Sequence, residues 1–283
     1  AMQIKARAKI NWALNVLGSR TDGYHHLDML NQRLTLADDV FLSPAHAIEL
    51  EVRGNKDVPD NHSNLAWQAA SMLKRRFNVS EGVNIRLHKR IPPGAGLAGG
   101  SADAAAVLLG LNRLWGLGLA LHELREFGKG LGADIPYCLA GGFARVGGIG
   151  EIITPLTNAP ELRLVLIKPR GALSTRIVFE CYNGLATTEP ADIPGLNQAL
   201  SLGAYKELYV YARNQLQPAA VSLCPEVHEA IRDLQANGAV FAQMTGSGSL
   251  VYGVFEDDGM AQMAYQKLSL CWHTCLLTRT AGA

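Results

Sequence analysis

At the start of the chain, Ile4, Ala6 and Ala8 alternate with Lys5, Arg7 and Lys9, which predicts a strand over 2–17 with one buried face. A turn is expected over 18–23, where Gly18, Ser19, Asp22 and Gly23 cluster. The period of two recurs at 33–42, 47–53 and 83–88, most cleanly in Val83, Ile85 and Leu87. Leu65, Ala69, Met72 and Leu73 share one face of a predicted helix over 64–77, as do Ala104, Leu108, Leu111 and Trp115 over 101–116. A third helix, 121–131, stops at Gly132. A β-rich stretch over 143–154 and a buried strand at 162–168 follow, while 183–204, rich in Pro, Asn, Asp and Gly, reads as loop. The end of the chain reads helix 226–237, strand 240–244, strand 249–255, helix 257–270 and strand 272–278. That order predicts a split β-α-β unit and an α+β class overall.

At 283 residues the chain exceeds one ordinary core, so two domains are expected, 1–154 and 155–283. With 48% hydrophobic and 18% charged residues it can bury both cores and is not disordered. A net charge of +1 argues against nucleic acid as a partner, and the one dense basic run, Lys74–Arg76, ends a predicted helix where the dipole favours cations. No apolar run reaches the ~18 residues of a membrane span, so no membrane partner is expected. The stretch from Met2 to Arg7 reads as a charged strand rather than the apolar core of a signal peptide, and Ala1 before Met2 as an expression scar. Five cysteines form no even framework and predict reduced thiols and a cytoplasmic setting. Cys271 and Cys275 flank His273, but no second pair stands at metal spacing, so no dedicated metal site is expected. The expected assembly is a monomer or weak homodimer.

The sharpest local feature is the run from Pro92 through Gly94, Ala95, Gly96, Leu97, Ala98, Gly99, Gly100, Ser101 and Ala102 to Asp103. Four glycines in seven residues are unfavourable unless the backbone needs positive φ or a close approach. A helix follows directly, so its free amides and positive dipole end form an anion cradle suited to phosphate. Ser101 reads as the helix N-cap or as a hydroxyl for a Mg²⁺–phosphate cluster. Gly94-x-Gly96-x-x-Gly99 matches a dinucleotide fingerprint only formally, because the preceding strand is half polar and no acid-bearing strand follows. No Gly-Lys-Ser/Thr occurs, and the His-Arg-Asp and Asp-Phe-Gly signatures of protein kinases are missing.

Residues Pro92–Ala106 resemble the central motif of the GHMP kinases. Ala8-Lys9-Ile10-Asn11 is similar to that family's first motif and Met244–Gly253 to its third, in family order and across nearly the whole chain. Arg20–His25, Gly132–Pro136 and Gly147–Glu151 are similar to the branch that phosphorylates a diphosphocytidyl sugar alcohol in non-mevalonate isoprenoid biosynthesis. The resemblance implies the two-domain GHMP fold, with an N-terminal ribosomal-protein-S5-domain-2-like half and a ferredoxin-like C-terminal half. It also implies ATP with Mg²⁺, the metal held mostly by phosphates and water. Ala98 departs from the glycine of many members, and a methyl is tolerable there if φ is negative.

By that resemblance Asp134, which otherwise reads as a turn residue before Pro136, is the base for the substrate hydroxyl. Lys9, otherwise a snorkelling strand residue, contacts Asp134 and that hydroxyl. Asn11, Tyr24 and His25 are expected at the cytidine of diphosphocytidyl methylerythritol, with Tyr24 stacking on the pyrimidine and Phe179 on its other face. Thr175 and Ile149 complete that pocket. Asn64, by itself a helix N-cap, and Lys89 are expected on the adenine side. Gly246 and Ser247 are expected to approach the substrate's phosphates or to brace the glycine-rich loop. Two alternatives stay open: a GHMP kinase of homoserine or a mevalonate compound, and a non-catalytic nucleotide-binding regulator on the same fold.

Overall fold

The computed structural model describes residues 1–186 and 188–282. The first half runs β1 (Met2–Ser19), β2 (His25–Ala45), β3 (Ile48–Arg53), α1 (Leu65–Arg76), β4 (Gly82–His88), α2 (Gly99–Leu114), α3 (Leu121–Leu131), α4 (Ile135–Ala140), β5 (Phe143–Gly148) and β6 (Ile152–Pro155). The second runs β7 (Arg163–Lys168), α5 (Thr175–Asn183), α6 (Ile193–Leu202), α7 (Leu208–Tyr211), α8 (Gln217–Leu223), α9 (Glu226–Ala236), β8 (Phe241–Met244), β9 (Val251–Phe255), α10 (Asp258–Leu268) and β10 (Thr274–Arg279).

Two sheets result. One follows the order β3-β4-β2-β5-β6, with β1 paired along the length of β2; the other follows β10-β7-β9-β8 with antiparallel neighbours. The second has the β-α-β-β-α-β succession of a ferredoxin-like unit, with α9 and α10 packed on its strands.

The expected alternation along β1 holds only at its start. A register shift between Arg7 and Lys9 breaks it. Before the shift Ala6 belongs to the core beneath α1 and α2; after it Ala8, Ile10 and Trp12 belong to the core facing the second sheet. A bulge inserts one residue and so re-aims every side chain beyond it. Lys9 and Asn11 are thereby turned away from the second core.

Trp12 is the centre of that second core. It is fully buried, meets Tyr252 edge-on at 5.5 Å and Phe241 at 6.3 Å, and donates Nε1–H to Gln32 Oε1 at 2.9 Å. Gln32 in turn donates to the carbonyls of Pro160 and Ala281, tying β2 to both edges of the second half.

The stretch 183–204, expected to be loop, contains α6. Asp192 caps it, accepting from Gly195 N at 3.1 Å, and Pro194 lies in the first turn, where a missing N–H costs nothing. Ile193, Leu196, Ala199 and Leu200 form its buried stripe, so Pro and Gly mark a helix start here rather than a loop. The short helices α4, α5, α7 and α8 were likewise not anticipated, being too brief for a periodic signal.

Trp12→Ala should destabilise the protein by about 3–5 kcal/mol, the usual range for emptying a large aromatic site. Urea unfolding measures it, and a loss under about 1 kcal/mol would show that this core does not join the two sheets.

Candidate active site

One cleft of about 1160 Å³ gathers side chains from both halves of the chain. Lys9 stands in its wall, 4% exposed. Its ammonium donates to Asn11 Oδ1 at 2.9 Å and to the carbonyl of Gly96 at 3.1 Å. Burial pulls its pKa below the ordinary 10.5, with Asp134 and Cys138 opposing that shift. Cys138 is itself pushed up to about 12, chiefly by burial, so it stays a neutral thiol.

Asn11 is fully buried, and its side chain is engaged within the protein. Besides Lys9, its Oδ1 accepts from Gly246 N at 2.8 Å, and its Nδ2 donates to Asn31 Oδ1 at 2.5 Å. Its backbone N–H donates to Thr245 Oγ1 and its carbonyl accepts from Tyr252. The residue expected to read cytidine thus acts first as a joint between β1 and the turn before β9.

The glycine-rich loop adopts positive φ at Gly94 (+61°), Gly96 (+86°) and Ala98 (+57°), with negative φ at the residues between. Such alternation turns successive N–H groups toward one side, forming an anion-binding nest. Three expectations change here. Ala98 is left-handed rather than negative in φ, because it is the N-cap residue through which the loop enters α2. Ser101 is therefore not the cap; it lies in the first turn, its Oγ 4.0 Å from where a Cβ on Gly132 would sit. Ala102 does not line the cleft, since its N–H is held by Ala98 O at 2.9 Å and its side chain is buried. The amides of Gly99, Gly100 and Ser101 precede that first helical bond, and all three residues line the cleft.

The Gly246 turn braces this loop backbone to backbone. A Cβ on Gly96 would lie 2.3 Å from Thr245 O, and one on Gly246 would lie 3.0 Å from Gly96 Cα, so neither position accepts a side chain without displacement. Ser247 meets Thr175 at 2.9 Å between their hydroxyls.

Asp134 occupies the N-cap position of α4, yet its side chain makes no capping bond. Pro136 in the first turn removes one of the donors a cap would satisfy. The carboxylate lines the cleft with Lys9, and they form no ion pair among the described residues. The expected direct Lys9–Asp134 contact is thus replaced by a longer-range attraction. Gly150 presses on the same segment: a Cβ there would lie 2.4 Å from Ala133 O, and Ile149 N–H is held by Glu151.

At the other end of the cleft stand Tyr24, His25, Ile149, Thr175 and Phe179. Tyr24 is 57% exposed. His25 stacks on Phe179 at 4.6 Å and Nε2 lies 3.1 Å from Asn183 Oδ1, so the Phe179 face expected for the pyrimidine is covered by an imidazole. On the opposite flank Asn64 caps α1 through Ala66 N at 2.9 Å and donates to Pro59 O. Lys89 lines the cleft, but its ammonium is bound by Asp38 at 2.6 Å and Asp103 at 2.7 Å. Of the sequence-derived site residues, every one but Ala102 lines this cleft.

Sequence reasoning missed Asp103, Asn183, Leu173 and the segment Asp57–Pro59, all of which line the cleft. Asp103 carried a signal, an acidic residue on the otherwise apolar face of α2; the others carried none.

The comparisons with known proteins bear on the whole chain. A family model described as the GHMP kinases N-terminal domain matches residues 64–142, and one described as GHMP kinases C-terminal matches 196–273. A 4-diphosphocytidyl-2-C-methyl-D-erythritol kinase of Geobacillus thermodenitrificans is 41% identical over 94% of this chain and 92% of its own. One of Alkaliphilus metalliredigens is 38% identical over 96% and 94%. A crystal structure of 4-(cytidine 5'-diphospho)-2C-methyl-D-erythritol kinase superposes with a TM-score of 0.84 at 33% identity, covering all of both chains. A mevalonate kinase of L. major, at 13% identity and a TM-score of 0.77, shares the fold.

Ala98→Gly should stabilise the protein by about 0.5–1 kcal/mol, because relief of the left-handed penalty exceeds the entropy cost of glycine. Thermal unfolding reads the gain; a loss of stability would mean that Ala98 is not left-handed in solution.

Proposed function

Because the chain belongs to the GHMP kinases, we propose that its cleft transfers the γ-phosphoryl group of ATP to the 2-hydroxyl of 4-diphosphocytidyl-2-C-methyl-D-erythritol. The supporting observation is that the nest at 94–98, the buried Lys9 ammonium and the free Asp134 carboxylate share one cleft. Relatives of that name match over nearly the whole chain. The product is an intermediate of non-mevalonate isoprenoid biosynthesis.

Phosphoryl transfer requires alignment and charge stabilisation more than covalent help from the protein. The amides at the start of α2 and in the nest hold the polyphosphate. Asp134, bound to no capping N–H, accepts the proton of the attacking hydroxyl. Lys9 offers positive charge to the transferring group and to the developing alkoxide. Tyr24, His25, Thr175 and Phe179 form the cytidine end, and Asn64 with Asp57–Pro59 the adenine end.

On this reading Mg²⁺ would be held mostly by phosphate oxygens and water; among the described residues no group of three or more His, Cys, Asp and Glu is gathered. Ser101 lines the same cleft, and its hydroxyl would be a protein oxygen able to join the ion. When bound, the ion neutralises charge on the phosphates. Among the described residues no helix is long and apolar enough to cross a membrane, and the five free cysteines suit a reducing cytoplasm.

Incubation with ATP, Mg²⁺ and the diphosphocytidyl alcohol should yield ADP and a product phosphorylated at the 2-hydroxyl, identified by phosphorus NMR. Asp134→Asn should cut kcat by about 10²–10⁴ while remaining folded, and full turnover in that variant would remove Asp134 from the chemistry. Lys9 must be an ammonium to act, and its pKa lies below 10.5. As pH rises through that lowered value the charge is lost, so kcat/KM should fall on an alkaline limb below 10.5. A profile flat to that pH would show that the charge is not needed.

A further inference from the structure

The glycine-rich loop has no ladder of its own, yet both of its ends are fastened to one buried cluster. On the strand side, Asp38 of β2 is fully buried and its Oδ1 accepts from Arg90 N at 2.6 Å and Ile91 N at 2.9 Å. Those two amides belong to the residues that lead into Pro92. The other oxygen of Asp38 receives the Lys89 ammonium at 2.6 Å. On the helix side, the same ammonium donates to Asp103 Oδ2 at 2.7 Å, and Asp103 is 1% exposed. Lys89 Nζ lies 3.5 Å from where a Cβ on Gly99 would sit, so the ammonium rests beneath the first residue of α2. A single cation therefore spans the gap that the loop bridges, from the end of β4 to the second turn of α2.

We infer that Lys89, with Asp38 and Asp103, is a positioning device that fixes the two ends of the phosphate loop at the separation its nest requires, and that Lys89 acts on ATP only through the loop. This rests on the reading of the loop as the nucleotide's seat. Two observations favour bracing over direct contact. Both ammonium bonds are short, charge-assisted and sealed from water, so drawing Lys89 out toward a ligand would leave two buried carboxylates unpaired. Asp38 also accepts from the two backbone N–H groups that lead into the loop, so the cluster is built around the loop's entry rather than around a substrate group.

Asp103 Oδ1 has no hydrogen-bond partner. Burial pushes the Asp103 carboxyl well above the usual carboxylate range; Lys89 opposes that shift and neighbouring Asp38 adds to it.

The role is tested by separating what Asp103 offers as an acceptor from what it offers as a charge. Asp103→Leu removes the helix-side anchor while leaving Lys89 paired with Asp38. Asp103→Asn keeps an oxygen of the same reach. For Asp103→Leu, KM for ATP should rise about tenfold or more, with kcat at saturating ATP within about threefold and KM for the alcohol within about twofold of wild type. Asp103→Asn should keep KM for ATP within about threefold of wild type. Should Asp103→Leu not fold, Asp103→Ser, whose hydroxyl is too short to reach the ammonium, is read in the same way. An unchanged KM for ATP in a folded anchor variant overturns the inference. So does a loss in Asp103→Asn as large as in Asp103→Leu, or a fall in kcat with KM unchanged. Calorimetric titration of the wild type with MgADP separates the two readings: no binding would reject the nucleotide seat itself, whereas binding with KM indifferent to Asp103 rejects only the brace.

Discussion

A lysine ammonium taken out of water and held only by neutral oxygens sets the terms for everything around it. Removing such a cation from solvent costs several kcal/mol even after relaxation, so its position must be enforced by neighbours that gain nothing from its charge. Asn11 and the Gly96 carbonyl do this, and Asp134 is near enough to be felt without closing an ion pair. A tight Lys9–Asp134 pair would cancel the field that a transferring phosphoryl group needs. On the proposed reading, holding the two apart would leave Asp134 to act as base and Lys9 as the positive centre.

That arrangement draws on both halves of the chain. The bulge in β1 aims Lys9, the turn before β9 supplies Thr245 and Gly246, and Asn11 joins them. Asn214 adds a second tie, donating to the carbonyls of Met244 and Gly246 at 2.9 Å each. Trp12 and Gln32 secure the same strand from its other face. The first β-strand is thus a structural member of both cores, and its middle, residues 8–14, is buried on both faces.

What was legible in the sequence was what depends on local chemistry. Glycine density before an amphipathic helix pointed to a loop built for close approach, the strands at 48–53 and 82–88 followed from period-two patterns, and that at 163–168 from an apolar run. Resemblance, not periodicity, singled out Lys9 and Asp134, since each has an ordinary structural reading in isolation. What was hidden depends on register or on distant partners. The shift between Arg7 and Lys9 leaves no mark in composition, because both faces of β1 are buried beyond it. The sign of φ at Ala98 follows from the loop's path, and alanine gives no warning of it. The part Lys89 plays emerges only when the fold sets its ammonium between Asp38 of β2 and Asp103 of α2. Asn183 stands at the end of a helix that the pattern around it concealed.

The stack of His25 on Phe179 has a bearing on how the proposed cytidine end would discriminate among ligands. An aromatic guest that reaches for the face of Phe179 must first dislodge an imidazole already seated there and also held by Asn183. Affinity then reflects a swap, in which only the surplus of the new contact over the old one counts. A flat ring with a polar edge able to take over the bonds His25 leaves behind is favoured, and a greasy ring of equal size is not.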